Sequence, residues 1–154
     1  MPLTFREVLR ADPAADGLLA AHFDLMRAQS PAESCHVMTA DELRGAAARV
    51  FVGMESDGQA VAVGALKPFG EGEAELKAMH CLQARRGQGY GRALLSHLVC
   101  VAQDAGVRTL WLETGSSAEF AAARALYASA GFAPCAPFGT YQPDPLSMFM
   151  TRSL

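Results

Sequence analysis

The segment Arg85-Arg86-Gly87-Gln88-Gly89-Tyr90-Gly91 concentrates what a phosphate ester needs from a protein: two guanidinium groups and three alternating glycines ahead of an apolar run. Glycine admits the positive φ angles that turn neighbouring N–H groups toward one point. A helix opening just after it adds uncapped donors and the favourable end of its dipole. A GxxxxGK(S/T) phosphate loop does not occur in the chain. A GxGxxG dinucleotide fingerprint fails as well, because counting from Gly87 the third glycine would fall on Arg92. The residues therefore describe an anion cradle with neither of those spacings. Just upstream, the segment Glu73 to Leu82 alternates in the manner of a strand, and uninterrupted alternation sets Glu75 on the same face as Met79.

Elements that position these groups can be read from periodicity. Leu3 to Val8 has β character, Ala11-Asp12-Pro13 signals a stop, and an amphipathic helix is expected over about Asp16 to Ala28. Thr39 and Glu42 have capping-box spacing for a short helix reaching about Ala47. Val50 to Met54 and Ala60 to Leu66 flank Asp57-Gly58, the signature of a β-hairpin, and Gly70-Glu71-Gly72 turns the chain into a third antiparallel strand, Glu73 to Leu82. Beyond the glycine loop, Leu94, Leu95, Leu98, Val101 and Ala102 recur at helical spacing as far as Gly106. Val107 to Thr114 is the next strand, Ala118 to Ala130 a helix that Gly131 stops, and Ser147 to Thr151 the final strand.

Composition bounds the chemistry further. A chain of 154 residues, 51% hydrophobic and 19% charged, suits one domain, 1–154, with no internal repeat or linker. Thirteen Lys+Arg against sixteen Asp+Glu leave a net charge of −3, which argues against nucleic acid or an anionic membrane as partner. No apolar run approaches the roughly 20 residues of a membrane span, and the N-terminus lacks the pattern of a secretory signal. Cys35, Cys81, Cys100 and Cys135 are scattered, without the close pairs of a zinc or redox site, and the four histidines show no ligand spacing. No metal site and a cytoplasmic location with reduced thiols are therefore expected.

Arg86-Gly87-Gln88-Gly89-Tyr90-Gly91 resembles the (Gln/Arg)-x-x-Gly-x-(Gly/Ala) acetyl-coenzyme A motif of the GNAT superfamily of N-acetyltransferases. Ala123-Arg124-Ala125-Leu126-Tyr127-Ala128-Ser129-Ala130-Gly131-Phe132 resembles the family's A-x-x-L-Y-x-x-x-G-F segment, and the two motifs stand in the family's order. The resemblance covers nearly the whole chain. It implies an α/β (α+β) GNAT fold: a mixed, mostly antiparallel sheet of about six to seven strands flanked by about four helices.

It also implies roles. Backbone N–H groups of Gly87, Gln88, Gly89, Tyr90 and Gly91, with Arg86 alongside, would hold the pyrophosphate of acetyl-CoA. Met79, His80 and Cys81 would offer strand backbone to the pantetheine arm where that strand splays from its neighbour. A free alkyl amine has a pKa of about 10.4, so a base or water relay must deprotonate it, while a departing thiolate with a pKa near 8.5 is helped by a nearby phenol. Tyr127 matches the family's acid, the alternative being a ring that only fills the core. Glu75 resembles the glutamate base of the histone-acetylating branch, and Glu113 is its rival; either could instead pair with Lys77 or Arg108 on a solvated sheet face. Cys81 raises the alternative of a thiol acetylated first. The family's usual asparagine, seven residues before the tyrosine, is Phe120 here.

In this fold the acceptor enters beside the first two helices and the loop before the last strand. Arg27, Ser34 and His36, with Tyr141 and Asp144 in the proline-rich tail, are the candidates to bind it, offering groups for both an ammonium and a carboxylate. The resulting expectation is direct transfer from acetyl-CoA to a small amine, amino-acid-like or polyamine-like. Acetylation of a protein amine and a non-catalytic acyl-CoA sensor are the alternatives. Trp111 and the last strand are candidates for a homodimer contact.

Overall fold

The computed structural model describes residues 2–154. Asp12 does not stop a strand so much as start a helix: its carboxylate accepts from the N–H groups of Ala14 and Ala15, and Pro13 fills the first turn, where a missing N–H costs nothing. Helix α1 accordingly spans Pro13–Gln29, three residues earlier than periodicity suggests, after strand β1, Thr4–Val8. The capping box is present, with Thr39 and Glu42 bonding each other's backbone N–H, and opens α2, Ala40–Gly45. Strands β2 (Arg49–Met54), β3 (Ala60–Pro68) and β4 (Glu73–Cys81) form the expected meander. Gly58, with a φ of +86°, makes the first turn.

Helix α3 (Tyr90–Asp104) follows, then β5 (Thr109–Gly115), α4 (Ala121–Ser129), β6 (Ala133–Cys135) and β7 (Ser147–Ser153). The turn Ala118–Phe120 is a tighter 3-10 turn, so α4 begins later than its sequence pattern. Short β6, with Pro134 at its centre, carried no strand signal. The seven strands run β1-β2-β3-β4-β5-β7-β6, antiparallel throughout except β4 beside β5. Strand β7 therefore lies between β5 and β6, its backbone engaged on both sides.

Two cores cover the sheet. On one face Leu94, Leu95, Leu98 and Ala102 of α3 pack on Phe51, Leu66, Leu76, Leu110 and Leu112. On the other, Leu18 and Leu19 of α1 and Leu43 of α2 cover Val50, Val52, Val63 and Ala65. The strand alternation predicted for β4 fails at one residue. Ala78 has a φ of +57°, and the β3–β4 register shifts between Val63 and Ala65, so β4 carries an extra residue. The bulge resets the pleat. Met79 joins the α3 face, where Leu76 lies, while Ala78 packs on the α1 side with Val63, the cross-strand partner of His80. Glu75 and Met79 thus leave the strand on opposite faces, contrary to the simple period-2 expectation.

Candidate active site

The glycine loop leads into α3 without a side-chain cap. Gly87 and Gly89 have φ angles of +80° and +82°, Gly89 is the N-cap, and a Cβ at either position would meet nothing within 4 Å. The first-turn N–H groups of a 15-residue helix are thereby left for an anion. The arginine pair divides its work. Arg85 donates to Glu55 (3.0 Å), to which the buried Tyr90 hydroxyl also donates (2.6 Å), so these side chains clamp the loop to the β2–β3 hairpin. Arg86 donates only a long 3.4 Å bond to the Cys81 carbonyl. The hydrogen bond to Glu55, and burial after it, raise the Tyr90 phenol, and Tyr90 and Arg85 together hold the Glu55 carboxyl below its usual range.

Strands β4 and β5 pair only over Glu73–Glu75 and Thr109–Trp111. Past that point they part, and a cavity of about 140 Å³ lies in the cleft, lined by Glu75, Lys77 and Met79 from β4, Glu113 and Gly115 from β5, and Tyr127 from α4. Burial pushes Tyr127 up to about 12, with Cys81 and Glu113 adding to the rise, so its phenol keeps its proton at neutral pH. Among the described residues its hydroxyl has no hydrogen-bond partner. Burial also raises Glu113, to about 7, against the Ser147 hydroxyl and the Lys77 charge, with Glu75 and Asp144 adding to the rise. Phe120 stands where the family asparagine was sought, buried against β5: a Cβ on Gly115 would lie 2.1 Å from its ring. Arg124 holds this turn by donating to the carbonyls of Gly115 and Ser117, both at 2.8 Å.

The opposite wall is a side-chain network. Tyr141 donates to Glu75 Oε2 at 2.6 Å, and Lys77 Nζ donates to Tyr141 Oη (3.0 Å), to the His36 carbonyl (3.3 Å) and to Glu75 Oε2 (3.4 Å). Lys77 and Glu75 are 10% and 4% exposed, so this is a buried pair rather than a solvated one. Burial and Glu75 raise the Tyr141 phenol far beyond its ordinary range, so it keeps the proton it donates to Glu75 while its oxygen accepts from Lys77. Ser34 donates to Asp144 at 2.6 Å, tying the segment after α1 to the tail. Farther along the α1 face, His22 and His80 meet Nδ1 to Nδ1 at 3.3 Å, one ring donating and the other accepting. Burial lowers both, to about 3 and about 4, and each is neutral at pH 7.

Residues 17–132 match the family model of the Acetyltransferase (GNAT) family. The chain belongs to that family. YedL, an N-acetyltransferase of Escherichia coli (strain K12), is 37% identical over 142 residues, 92% of this chain and 89% of YedL. An IAA acetyltransferase of Azospirillum brasilense is 41% identical over 126 residues, 80% of each protein. The crystal structure of a proposed acyl-CoA N-acyltransferase from Klebsiella pneumoniae superposes with a TM-score of 0.79 at 31% identity, covering 99% of this chain and 97% of the other. The protein is an acetyltransferase whose acyl donor is acetyl-CoA.

Against this GNAT frame, Glu75, Met79, Ser34, His36 and Tyr127 all line one cavity, and Tyr141 and Asp144 bond to its wall. Arg27 does not join them; its guanidinium lies 5.8 Å over the Phe23 ring, a quarter-turn off the α1 face that supplies His22, Met26 and Ser30. The His80 side chain points away from the cleft, toward α1. Burial raises the Cys81 thiol, Arg86 partly offsetting it, which weakens it as a nucleophile. Trp111 is engaged within the chain, its Nε1 donating to Glu73 at 3.1 Å beneath Phe138. The residues that sequence reading passed over as functional are Lys77, Glu55 and His22. Only Lys77 carried a signal, its two-residue spacing from Glu75. Among the described residues no cluster of three His, Cys, Asp or Glu side chains could hold a metal, and no helix is long and apolar enough to cross a membrane.

Proposed function

We propose that the chain moves the acetyl group of acetyl-CoA directly onto a primary amine of a small molecule, in a ternary complex with Glu113 as base and Tyr127 as acid. One observation carries this reading: a carboxyl raised to about 7 and a phenol raised to about 12 line the same cleft between parted strands. The cradle fits the donor. Its uncapped N–H groups at Gly87 to Gly91 and the loosely held Arg86 suit a pyrophosphate, while the length of β4 from Met79 through His80 to Cys81, paired with β3 but free on its β5 side, suits the amide-bearing arm.

Bound acetyl-CoA supplies a thioester carbonyl as electrophile and a thiolate as leaving group. Glu113 takes one proton from the ammonium, freeing the lone pair that forms the N–C bond. Tyr127 gives its proton to the sulfur as the C–S bond breaks, and the nitrogen's second proton replaces it. Holding both reactants in one cleft supplies much of the rate. Glu75 serves this reading better as an anchor than as a base, since one of its oxygens already accepts from Tyr141 and Lys77. The small cavity and the bond from Ser34 in its lining to Asp144 of the tail support a small acceptor.

Thiol release in the presence of acetyl-CoA and a panel of amines tests the proposal. Wild-type kcat/KM is expected to rise with pH through about 7, as Glu113 loses its proton. Glu113→Gln removes that limb and lowers the rate roughly 10²–10⁴-fold. An unchanged profile assigns the base elsewhere.

A further inference from the structure

Burying a carboxylate beside the acceptor's amine is costly unless a free cation pairs it. The cleft contains one lysine, Lys77, and its ammonium has three N–H groups. All three are spent within the protein, on Tyr141, the His36 carbonyl and Glu75. Of the guanidiniums nearby, Arg124 is committed to the β5–α4 turn and Arg85 to Glu55, while Arg27 lies outside the lining, over the Phe23 ring. Arg86 lies at the other end of β4, by the glycine loop.

Anionic groups outnumber this one satisfied cation. Glu75 and Glu113 line the cavity, and Asp144 bonds to its lining residues Ser34 and Leu146, accepting from the Ser34 hydroxyl and the Leu146 N–H. At Glu113, Glu75 and Asp144 both favour the protonated form, opposed by the Lys77 charge and the Ser147 hydroxyl. His36 presents a ring stacked edge-on against Tyr141 and a carbonyl already bonded to Lys77, and His22 is a neutral ring paired with His80.

We infer that the acceptor is a cationic amine with no carboxylate on the neighbouring carbon, so that the pocket discriminates against free α-amino acids. The inference rests on the acetyl-transfer reading above. It corrects the sequence expectation that one site would hold both an ammonium and a carboxylate. Two sources share the favoured chemistry: free alkyl amines, and the amide-blocked amino terminus of a peptide.

Matched acceptors test it: phenylalanine, phenylalaninamide, phenethylamine and a tripeptide amide beginning with phenylalanine, with the same set built on leucine. The amide and the plain amine should exceed the free acid at least about tenfold in kcat/KM, because the acid buries a carboxylate with no free cation to pair it. Tyr141→Phe removes one acceptor of a Lys77 N–H and should narrow that ratio. A tripeptide used as well as the amide identifies peptide termini as the source, and a tripeptide ignored identifies free amines; both results uphold the inference. Free acids used as well as their amides overturn it while leaving acetyl transfer intact. No thiol release with any acceptor, from enzyme that acetyl-CoA stabilises against heat, removes the underlying reading as well.

Discussion

The two sides of the cleft are built by opposite means. The proposed donor side is seven consecutive residues, 85–91, which offer backbone N–H groups and are anchored to the β2–β3 hairpin through Glu55 and Gln59. The acceptor side is assembled from side chains far apart in the chain: Tyr141 reaches Glu75 across 66 residues, and Ser34 reaches Asp144 across 110. A backbone cradle tolerates changes of side chain and depends on φ. A buried polar network depends on every member being satisfied, because each orphaned group keeps its full desolvation cost. On the proposed reading, the same fold sets a general donor site beside a particular acceptor site.

The largest effect that separates the two sides is expected at Lys77. Lys77→Met leaves the Glu75 carboxylate buried without its counter-charge, a loss of about 3–5 kcal/mol. Replacing both partners, Lys77→Met with Glu75→Leu, removes the uncompensated charge and should lose less than the single change, although Tyr141 then lacks its acceptor. Urea unfolding of the two variants measures this. If the single variant is as stable as wild type, the pair is not a structural element of the acceptor wall.

This contrast also explains what was legible in the sequence. The cradle, the hairpin and the Thr39 capping box are local patterns, and all stand where the residues placed them. Tyr127 was found through a contiguous motif. The Lys77–Tyr141–Glu75 network is invisible to any local pattern, because it exists only once the tail folds back over β4. The bulge at Ala78 was unreadable for a different reason: alanine advertises no positive φ, and one extra residue inverts every later side chain on the strand. Short β6 is held by its pairing to β7 from Ala133 to Cys135, without a propensity of its own.

A second, smaller test uses pH. The folded-state values of His22 and His80, about 3 and about 4, lie below the ordinary 6.5. Below pH 6.5 the unfolded chain therefore binds protons that the folded chain refuses, and stability falls as pH drops, by about 1.4 kcal/mol per unit for each histidine. Glu113 works in the other direction. Its folded value of about 7 lies above the ordinary 4.5, so between those limits the folded state holds the extra proton and stability rises as pH drops. It offsets roughly one of the two histidines. Unfolding measured at pH 7.5 and 5.5 should show a net loss on acidification, steeper in Glu113→Gln and shallower in His22→Gln. Equal slopes in all three proteins would mean that these groups are not buried as the α1–β4 packing places them.

The smallest effect should fall on the donor side and leave the acceptor side untouched. A Cβ added at Gly89 meets no atom within 4 Å, so Gly89→Ala has no packing cost, and the whole penalty is the φ of +82°. A left-handed alanine costs about 1–2 kcal/mol, which the loop can relieve by rotating its N–H groups off their common focus. Donor affinity then falls roughly tenfold, since about 1.4 kcal/mol is a factor of ten. The KM for acetyl-CoA should rise by that factor with the KM for the amine unchanged, and the unfolding midpoint should move little. Gly91 supplies the contrast, because its Cβ would stand 3.3 Å from Leu126 and press α3 against α4. Gly91→Ala should therefore lower stability along with donor affinity, whereas a Gly89→Ala variant that raised the amine KM would show the two halves of the cleft to be mechanically coupled.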